Sequence, residues 1–281
     1  MFAGVSVAAG PDLGVVRGDV TASHSIGREV RILDWNIDKG KRFDNVARAI
    51  REHKPDLVLI QEVDYGAKRT GRKNVTEELA KTVGMNWMYG PSYLEIAQGT
   101  QDQPAYLGQG ILTRLPVRST RLLQFQRQTK FWKPQPYLPN HWGILQRRQG
   151  GRTALVAEFG EDRTRLVVYN LHLESRGFGA TRLGQLTETL ADADRYGPDV
   201  TVVIAGDLNS KYRKGLYGRK LANKKFHNCF SPKIRTHRLW GTLDWVAVRE
   251  PGACESSSVI RGAKGSDHDA LEAVVVLGTS K

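Results

Sequence analysis

Apolar residues in this chain come mostly in short runs that end on, or carry, a polar residue. Val30–Ile37, Leu57–Glu62, Leu107–Thr113, Val117–Phe125, Thr153–Phe159, Arg165–Leu173, Val200–Ala205, Leu243–Val248 and Ala270–Leu277 have the length and composition of strands. Elsewhere the period becomes helical. Val46, Ala49 and Ile50 share one face of Phe43–His53, and Lys54-Pro55-Asp56 ends that helix because proline disfavours a helical residue before it. A second helix is expected over Thr76–Val83, closed by Gly84, and a third over Ala180–Arg195 with Leu183, Leu186 and Leu190 facing inward. From Trp87 onward, adjacent strands with short turns predict antiparallel pairing. Two strand-rich halves, each carrying helices, predict an α+β fold: two sheets packed face to face with helices outside. Residues 29–279 are expected to form one domain, because the polar motifs spread from residue 36 to residue 268 with no evident linker or repeat. The Gly-rich, small-residue stretch 1–28 is expected to be a flexible amino-terminal arm.

Composition narrows the function. None of the apolar runs in the 281 residues approaches the ~20 needed for a membrane-spanning helix. No basic segment followed by an apolar core marks a secretory signal, which favours the cytoplasm. Cys229 and Cys254 are too few for a disulfide framework and lack zinc-site clustering; whether they pair is open from the sequence. The formal charge of +13 suits polyanionic partners, either nucleic acid or an anionic membrane surface. Simple solubility is the bland alternative.

The polar residues at the strand ends are of the types that ligate metal, move protons or bind oxyanions. Glu62 follows LVLIQ, where a charge needs a partner or a metal, and Mg²⁺ prefers carboxylate oxygen. In VIAGDLNS, Asp207 and Asn209 lie two apart and share a face if the strand continues. Asp207 can orient or deprotonate water, and Asn209 can donate to a phosphate oxygen, a pairing suited to attack on phosphorus. The competing explanation is an Asx-turn. Asp244 in LDWVAV and His268 in SDHDALEA read as a carboxylate–imidazole pair, with Asp267 available for metal. His172 in VVYNLHLES offers a second imidazole. His237 has no such surroundings and is read as structural.

The segments ILDWNI, PDLVLIQEV, GILTRLPV, YNLHLES, VIAGDLNS, LDWVAV and SDHDALEA, in this order over about residues 30–277, resemble the endonuclease/exonuclease/phosphatase superfamily. The resemblance implies a four-layered αββα sandwich and metal-dependent cleavage of phosphate esters, with Mg²⁺ as cofactor and Mn²⁺ as a substitute. It implies metal-site roles for Asn36, Glu62 and Asp267. Asp207 would activate water, Asn209 would hold the phosphate, His268 would act on it with Asp244 as partner, and His172 would be the second histidine of the deoxyribonuclease-like branch. Tyr169 and Arg182 are further candidates for phosphate contact. Asp269-Ala270 follows the last motif where the family often has a nearby proline, which weakens assignment to a subfamily.

A nuclease is therefore expected, with nucleic acid as partner. The alternatives are a phosphatase or phosphodiesterase for phospholipid, inositol phosphate or another small phosphoester, and an inactive phosphate-binding module. Two basic segments bear on the choice. Arg127–Arg148 mixes Lys130, Lys133, Arg147 and Arg148 with Phe131, Trp132, Tyr137 and Trp142. The other follows GDLNS and holds Lys211, Tyr212, Arg213, Lys214, Arg219, Lys220, Lys224 and Lys225. Cations can neutralise phosphates while aromatics stack on bases. Lys211 and Arg213 are the substrate-phosphate candidates there, and an anionic lipid surface would attract the same residues.

Overall fold

Strand alternation and helix amphipathicity together build four layers in the computed structural model, which describes residues 13–133, 146–160, 164–177, 179–211 and 214–278. In chain order the elements are β1 (Val16–Gly18), β2 (Glu29–Lys39), α1 (Phe43–His53), β3 (Leu57–Tyr65), α2 (Val75–Val83), β4 (Asn86–Leu94), β5 (Tyr106–Thr113), β6 (Val117–Gln124), β7 (Gln149–Gly150) and β8 (Thr153–Phe159). They continue with β9 (Leu166–His172), α3 (Ala180–Ala193), β10 (Thr201–Asp207), α4 (Lys214–Ala222), β11 (Phe226–Asn228), β12 (Asp244–Arg249), β13 (Ala253–Ile260) and β14 (Ala270–Val276). One sheet has the order β1-β4-β5-β3-β2-β14-β13, with β7 added on β4; the other runs β11-β12-β10-β9-β8-β6. Most pairs are antiparallel, and β2–β3 and β9–β10 are parallel. This is the expected α+β sandwich.

Period two decides what each strand buries. Along β2, Val30 and Ile32 enter the core between the sheets, while Leu33, Trp35 and Ile37 face α1 and α2. Along β9 and β10, Leu166, Val168, Val203 and Ala205 face the other sheet, and Val167, Tyr169, Leu171, Val202 and Ile204 face α3 and α4. The helices end as their residues dictate. Lys54 adopts a left-handed conformation before Pro55 and donates its N–H to Ile50 O, while Asn74 accepts from Glu77 N at the start of α2 and Gly84 caps its end. Among the described residues, no helix is long and apolar enough to cross a membrane.

Several elements depart from the sequence expectation. β4 contains Gly90-Pro91, which reads as a turn; the register shifts between Pro91 and Tyr93, so a bulge accommodates the proline. β13, with the sequence ACESSSVI, lies at a sheet edge and is largely exposed, so it carries no apolar alternation. α4 buries only Tyr217 and Leu221, too little for a clear helical pattern. Residues 13–28, part of the expected arm, are tied down. β1 pairs with β4, Asn86 Oδ1 accepts from Val20 N and Thr21 N, and His24 N donates to Arg114 O. Cys229 and Cys254 form a disulfide, Cα to Cα 5.5 Å, joining the chain after β11 to edge strand β13.

One glycine fixes how closely two functional strands approach. Gly206, at φ +126°, precedes Asp207 at the end of β10, and a Cβ there would collide with Leu171 O on β9. Gly206→Ala should lower unfolding free energy by about 3 kcal/mol or more, whereas Gly197→Ala, in open space, should stay within about 0.5 kcal/mol. Urea unfolding of the two variants checks this, and equal stabilities would contradict it.

Candidate active site

The polar strand ends converge on one rim of the sandwich. His172, Asp207 and Asp244 are register partners across β9, β10 and β12, so three neighbouring strands place them in one row. All three follow the parity that faces the opposite sheet. From that sheet β2 brings Asn36 and β3 brings Glu62. β14 runs antiparallel to β2, so its start lies at the same rim and the preceding residues present His268.

Two bulges aim the residues from the first sheet. The β3–β5 register shifts between Gln61 and Val63, and Glu62 takes φ +52°. The extra residue turns a side chain that strict alternation would send toward the helices. The β2–β3 register shifts between Asn36 and Lys39, and Asp38 and Lys39 also have positive φ. Asn209 adopts φ +48°, which lets its N–H reach back to Asp207 Oδ1 at 2.8 Å. Non-glycine residues in this region cost about 1–3 kcal/mol each and gather at functional sites.

Asp207 Oδ2 is the point of convergence. Asn36 Nδ2 donates to it at 3.3 Å, and His172 Nε2 and His268 Nε2 lie 3.6 and 3.9 Å away. Burial, reinforced by the Asp244 carboxylate, raises the Asp207 pKa above the usual carboxylate range. His268 Nδ1 donates to Asp244 Oδ2 at 2.9 Å and to Oδ1 at 3.0 Å. Burial opposes an imidazolium here, but Asp244 outweighs it and raises the His268 pKa to about 10. Thr236 Oγ1 holds the Asp244 backbone by accepting from Leu243 N and Asp244 N, and Trp35 Nε1 donates to His268 O. His172 is the opposite case: burial, then the nearby Arg152 cation, lowers its pKa well below the usual histidine value, so its ring is neutral.

Glu62 is held ionised. Burial works against the charge, but the Lys39 ammonium contacts the carboxylate and keeps its pKa far below the normal range. A cation already sits against hard oxygen here. The oxygen donors of Glu62 and Asn36 therefore fit Mg²⁺ or Mn²⁺, with Lys39 standing where a divalent ion's charge would act. A second set of potential ligands comprises Asp207, Asp244 and His268, and a third His237, Asp267 and His268.

Some candidates are placed otherwise. Tyr169 is not at the rim: its hydroxyl donates to Asp192 Oδ2 at 2.6 Å beneath α3. It stands three residues before His172, so strand alternation sends it to the opposite face. Arg182 is buried and donates to Glu174 O and Gly177 O, clamping the loop after β9, which corrects its reading as a phosphate ligand. Asn209 Nδ2 donates to Leu173 O at 3.0 Å. The Asp267 side chain is 54% exposed, and its Oδ2 accepts from His237 Nε2 at 3.3 Å. Lys211 reaches the rim, with its pKa lowered by burial and by Arg182. Lys214 donates to Thr242 Oγ1, whereas Lys220 and Lys224 bond Thr187 and Asp194 of the α3 region, away from the rim. Arg213, Tyr212, Tyr137 and Trp142 lie outside the described residues.

Two residues at the site were not foreseen. Lys39 lies just past the Asn36 motif, where the sequence offers no further signal. His237, read as structural, packs edge-on against His268 with ring centroids 4.6 Å apart, and a backbone bridge joins the two residues.

Fold and site together define a phosphoesterase architecture. The chain belongs to the endonuclease/exonuclease/phosphatase family, whose model matches residues 35–268. Among solved structures, an endonuclease/exonuclease/phosphatase from Beutenbergia cavernae DSM 12333 is similar at TM-score 0.67 and 17% identity, covering 90% of this chain and 72% of that one. A humanized D. rerio TDP2 aligns at TM-score 0.60 and 17% identity over 89% of this chain and 99% of that one. ANGEL2, a 2',3'-cyclic phosphatase solved with adenosine-2',3'-vanadate, aligns at TM-score 0.62 and 14% identity over 88% of this chain and 95% of that one. No curated protein sequence matches significantly.

The raised His268 pKa has a signed consequence. It lies above the unfolded value of about 6.5, so the Asp244 pair stabilises the fold fully below pH ~6.5. That contribution fades as pH rises through about 10. In metal-free protein, Asp244→Asn should return the His268 titration, followed by NMR, to the ordinary histidine range or below. An unmoved titration would contradict the pairing.

Proposed function

We propose that this protein is a divalent-metal-dependent phosphodiesterase that cleaves nucleic acid. The observation that carries the reading is the convergence on Asp207 Oδ2 of Asn36, His172 and a His268 held cationic by Asp244. A buried carboxylate with a raised pKa is a competent base for water. In the proposed reaction Asp207 takes the proton of a water that attacks phosphorus, and the bond to the leaving ester oxygen breaks. His268 Nε2, with Nδ1 engaged by Asp244, donates to the negatively charged phosphate oxygens. His172, neutral and buried, donates a hydrogen bond without adding a charge. Asn209 keeps Asp207 oriented through its backbone N–H. Glu62 and Asn36 would hold a Mg²⁺ or Mn²⁺ ion, with Asp267 available at the rim. When bound, such an ion supplies charge neutralisation and Lewis-acid polarisation of the phosphate.

Nucleic acid is favoured by the cations around the rim. Lys211 borders Asp207, while Arg148, ion-paired with Glu95, and the buried Arg152 add positive potential at Glu62 and His172. The net charge of +13 adds a general attraction for polyanions. ANGEL2, a 2',3'-cyclic phosphatase solved with adenosine-2',3'-vanadate, shares the fold, which is compatible with such a substrate. The Cys229–Cys254 bridge argues for an oxidising compartment over the cytoplasm favoured by the sequence.

The test is a substrate panel with Mg²⁺ or Mn²⁺: duplex and single-stranded DNA, RNA, sphingomyelin, phosphoinositides and a generic diester. Nucleic-acid cleavage that chelator abolishes and Mg²⁺ restores is expected. Turnover of lipid or inositol substrates alone would overturn the substrate assignment, and full activity in chelator would overturn the mechanism. Asp207→Ala should cut kcat by about 10²–10⁴ while leaving the fold intact. Glu62→Gln should demand much more Mg²⁺ for the same rate. Near-wild-type kinetics in either folded variant would remove that residue's role.

A further inference from the structure

A turn beside the catalytic histidine holds two large apolar side chains in solvent. Leu239 is 80% and Trp240 48% exposed, and the other exposed large apolar residues among those described are Val20 and Phe131. Exposed apolar side chains held rigidly beside an active site point to a binding partner. This turn is rigid. Thr236 N and His237 N both donate to Gly241 O, and Gly241 N donates back to His237 O. His237 Nδ1 accepts from Leu239 N at 3.0 Å and from Trp240 N at 3.1 Å. With Nδ1 acting as acceptor, the ring proton sits on Nε2, which faces Asp267. Arg238 N donates to Asp267 O, and Asp269 N to Thr236 O. The turn is thus stitched on both sides to the segment that carries His268.

Cations surround the apolar pair. Lys211 Nζ lies 4.4 Å from the Trp240 ring centroid, and Lys214 bonds Thr242 at the foot of the turn. Arg235 Nη2 donates to Arg238 O within it. An aromatic face next to a phosphate-seeking cation is the pattern that receives an unstacked base. A membrane anchor needs a broad contiguous apolar face. Two apolar side chains among three cations do not supply one.

We propose that this turn is a base-stacking platform. Trp240 takes the unpaired base of a nucleotide flanking the phosphate held at Asp207 and His268. Leu239 packs against that base, and Lys211 meets the adjoining backbone phosphate. The inference rests on the nucleic-acid reading above and narrows it to strands with unstacked bases. His237 acts as a positioning residue that keeps the platform in register with His268.

Binding to metal-free protein tests the platform apart from catalysis. The probes are a labelled single-stranded oligonucleotide and an abasic strand of equal length and charge, read by fluorescence anisotropy. The wild type should prefer the base-bearing strand by roughly 5- to 150-fold. Trp240→Ala should bring that preference close to one, while Trp240→Phe should keep most of it. Equal wild-type affinity for the two strands, beside intact cleavage of nucleic acid, would overturn the platform and leave the nuclease reading standing. A preference that survives Trp240→Ala would overturn it too. So would loss of binding to phosphatidylserine vesicles in that variant with the strand preference intact, which would assign the turn to a membrane. Wild-type protein that binds neither strand, yet hydrolyses lipid or inositol phosphate with Mg²⁺, would overturn the nucleic-acid reading and the platform together.

Discussion

The site depends on a polar seam that locks the two sheets in register. Gln61 Nε2 on β3 donates to Asp34 Oδ1 on β2 and to Asn170 Oδ1 on β9, both at 2.8 Å. Asn170 Nδ2 returns the tie by donating to Ile60 O and Gly110 O in the first sheet. Apolar contacts between the sheets, from Val30 and Ile32 to Val203 and Val246, supply most of the drive to pack but tolerate sliding. Buried amides do not tolerate it, because each unsatisfied group costs about 1–3 kcal/mol. The seam lies one step along the strands from the rim, as Asn170 precedes His172 and Asp34 precedes Asn36 by two residues. A shift there would separate Asn36 from Asp207.

The same layer concentrates negative charge. Asp34, Asp207 and Asp244 are all buried, and the Asp244 carboxylate adds to burial in raising the pKa of both Asp34 and Asp207. The structure resolves this in different ways. Asp34, fully desolvated and near Asp244, has its pKa pushed well above the normal range. Asp244 is paired with the His268 imidazolium. Asp207 stays poised between them, and Glu62 is balanced by Lys39. Carboxylates of one type thus receive distinct roles from burial and partner alone. Electrostatic stabilisation of a phosphoryl-transfer transition state needs such preorganised charge.

Much of this was legible in the sequence because chemistry sits where apolar runs stop. Asn36, His172, Asp207 and Asp244 lie at or near a strand end, and strand parity puts them on the inter-sheet face; His268 shares the parity of the outward-facing Ala270, and the segment before β14 turns it in to Asp244. Glu62 was legible as a charge after LVLIQ, but the bulge that re-aims it was not, since positive φ at a glutamate leaves no mark in composition. Tyr169 shows the reverse error: a motif suggested it, while its odd spacing from His172 already placed it on the other face. Arg182 depended on where the loop after β9 would fold. Lys39 and His237 belong to no apolar run, so tertiary contact alone reveals them. β4 hid behind Gly-Pro, and β13 behind the polarity of an edge strand.

In the proposed mechanism the two sheets assemble one metal-assisted centre around Glu62 and Asp207. Anomalous diffraction from crystals soaked in Mn²⁺ tests it most directly. A Mn²⁺ peak is expected against the Glu62 carboxylate, with the Lys39 ammonium displaced from it. A peak confined to His237, Asp267 and His268, or none near Glu62 at saturating Mn²⁺, would contradict it.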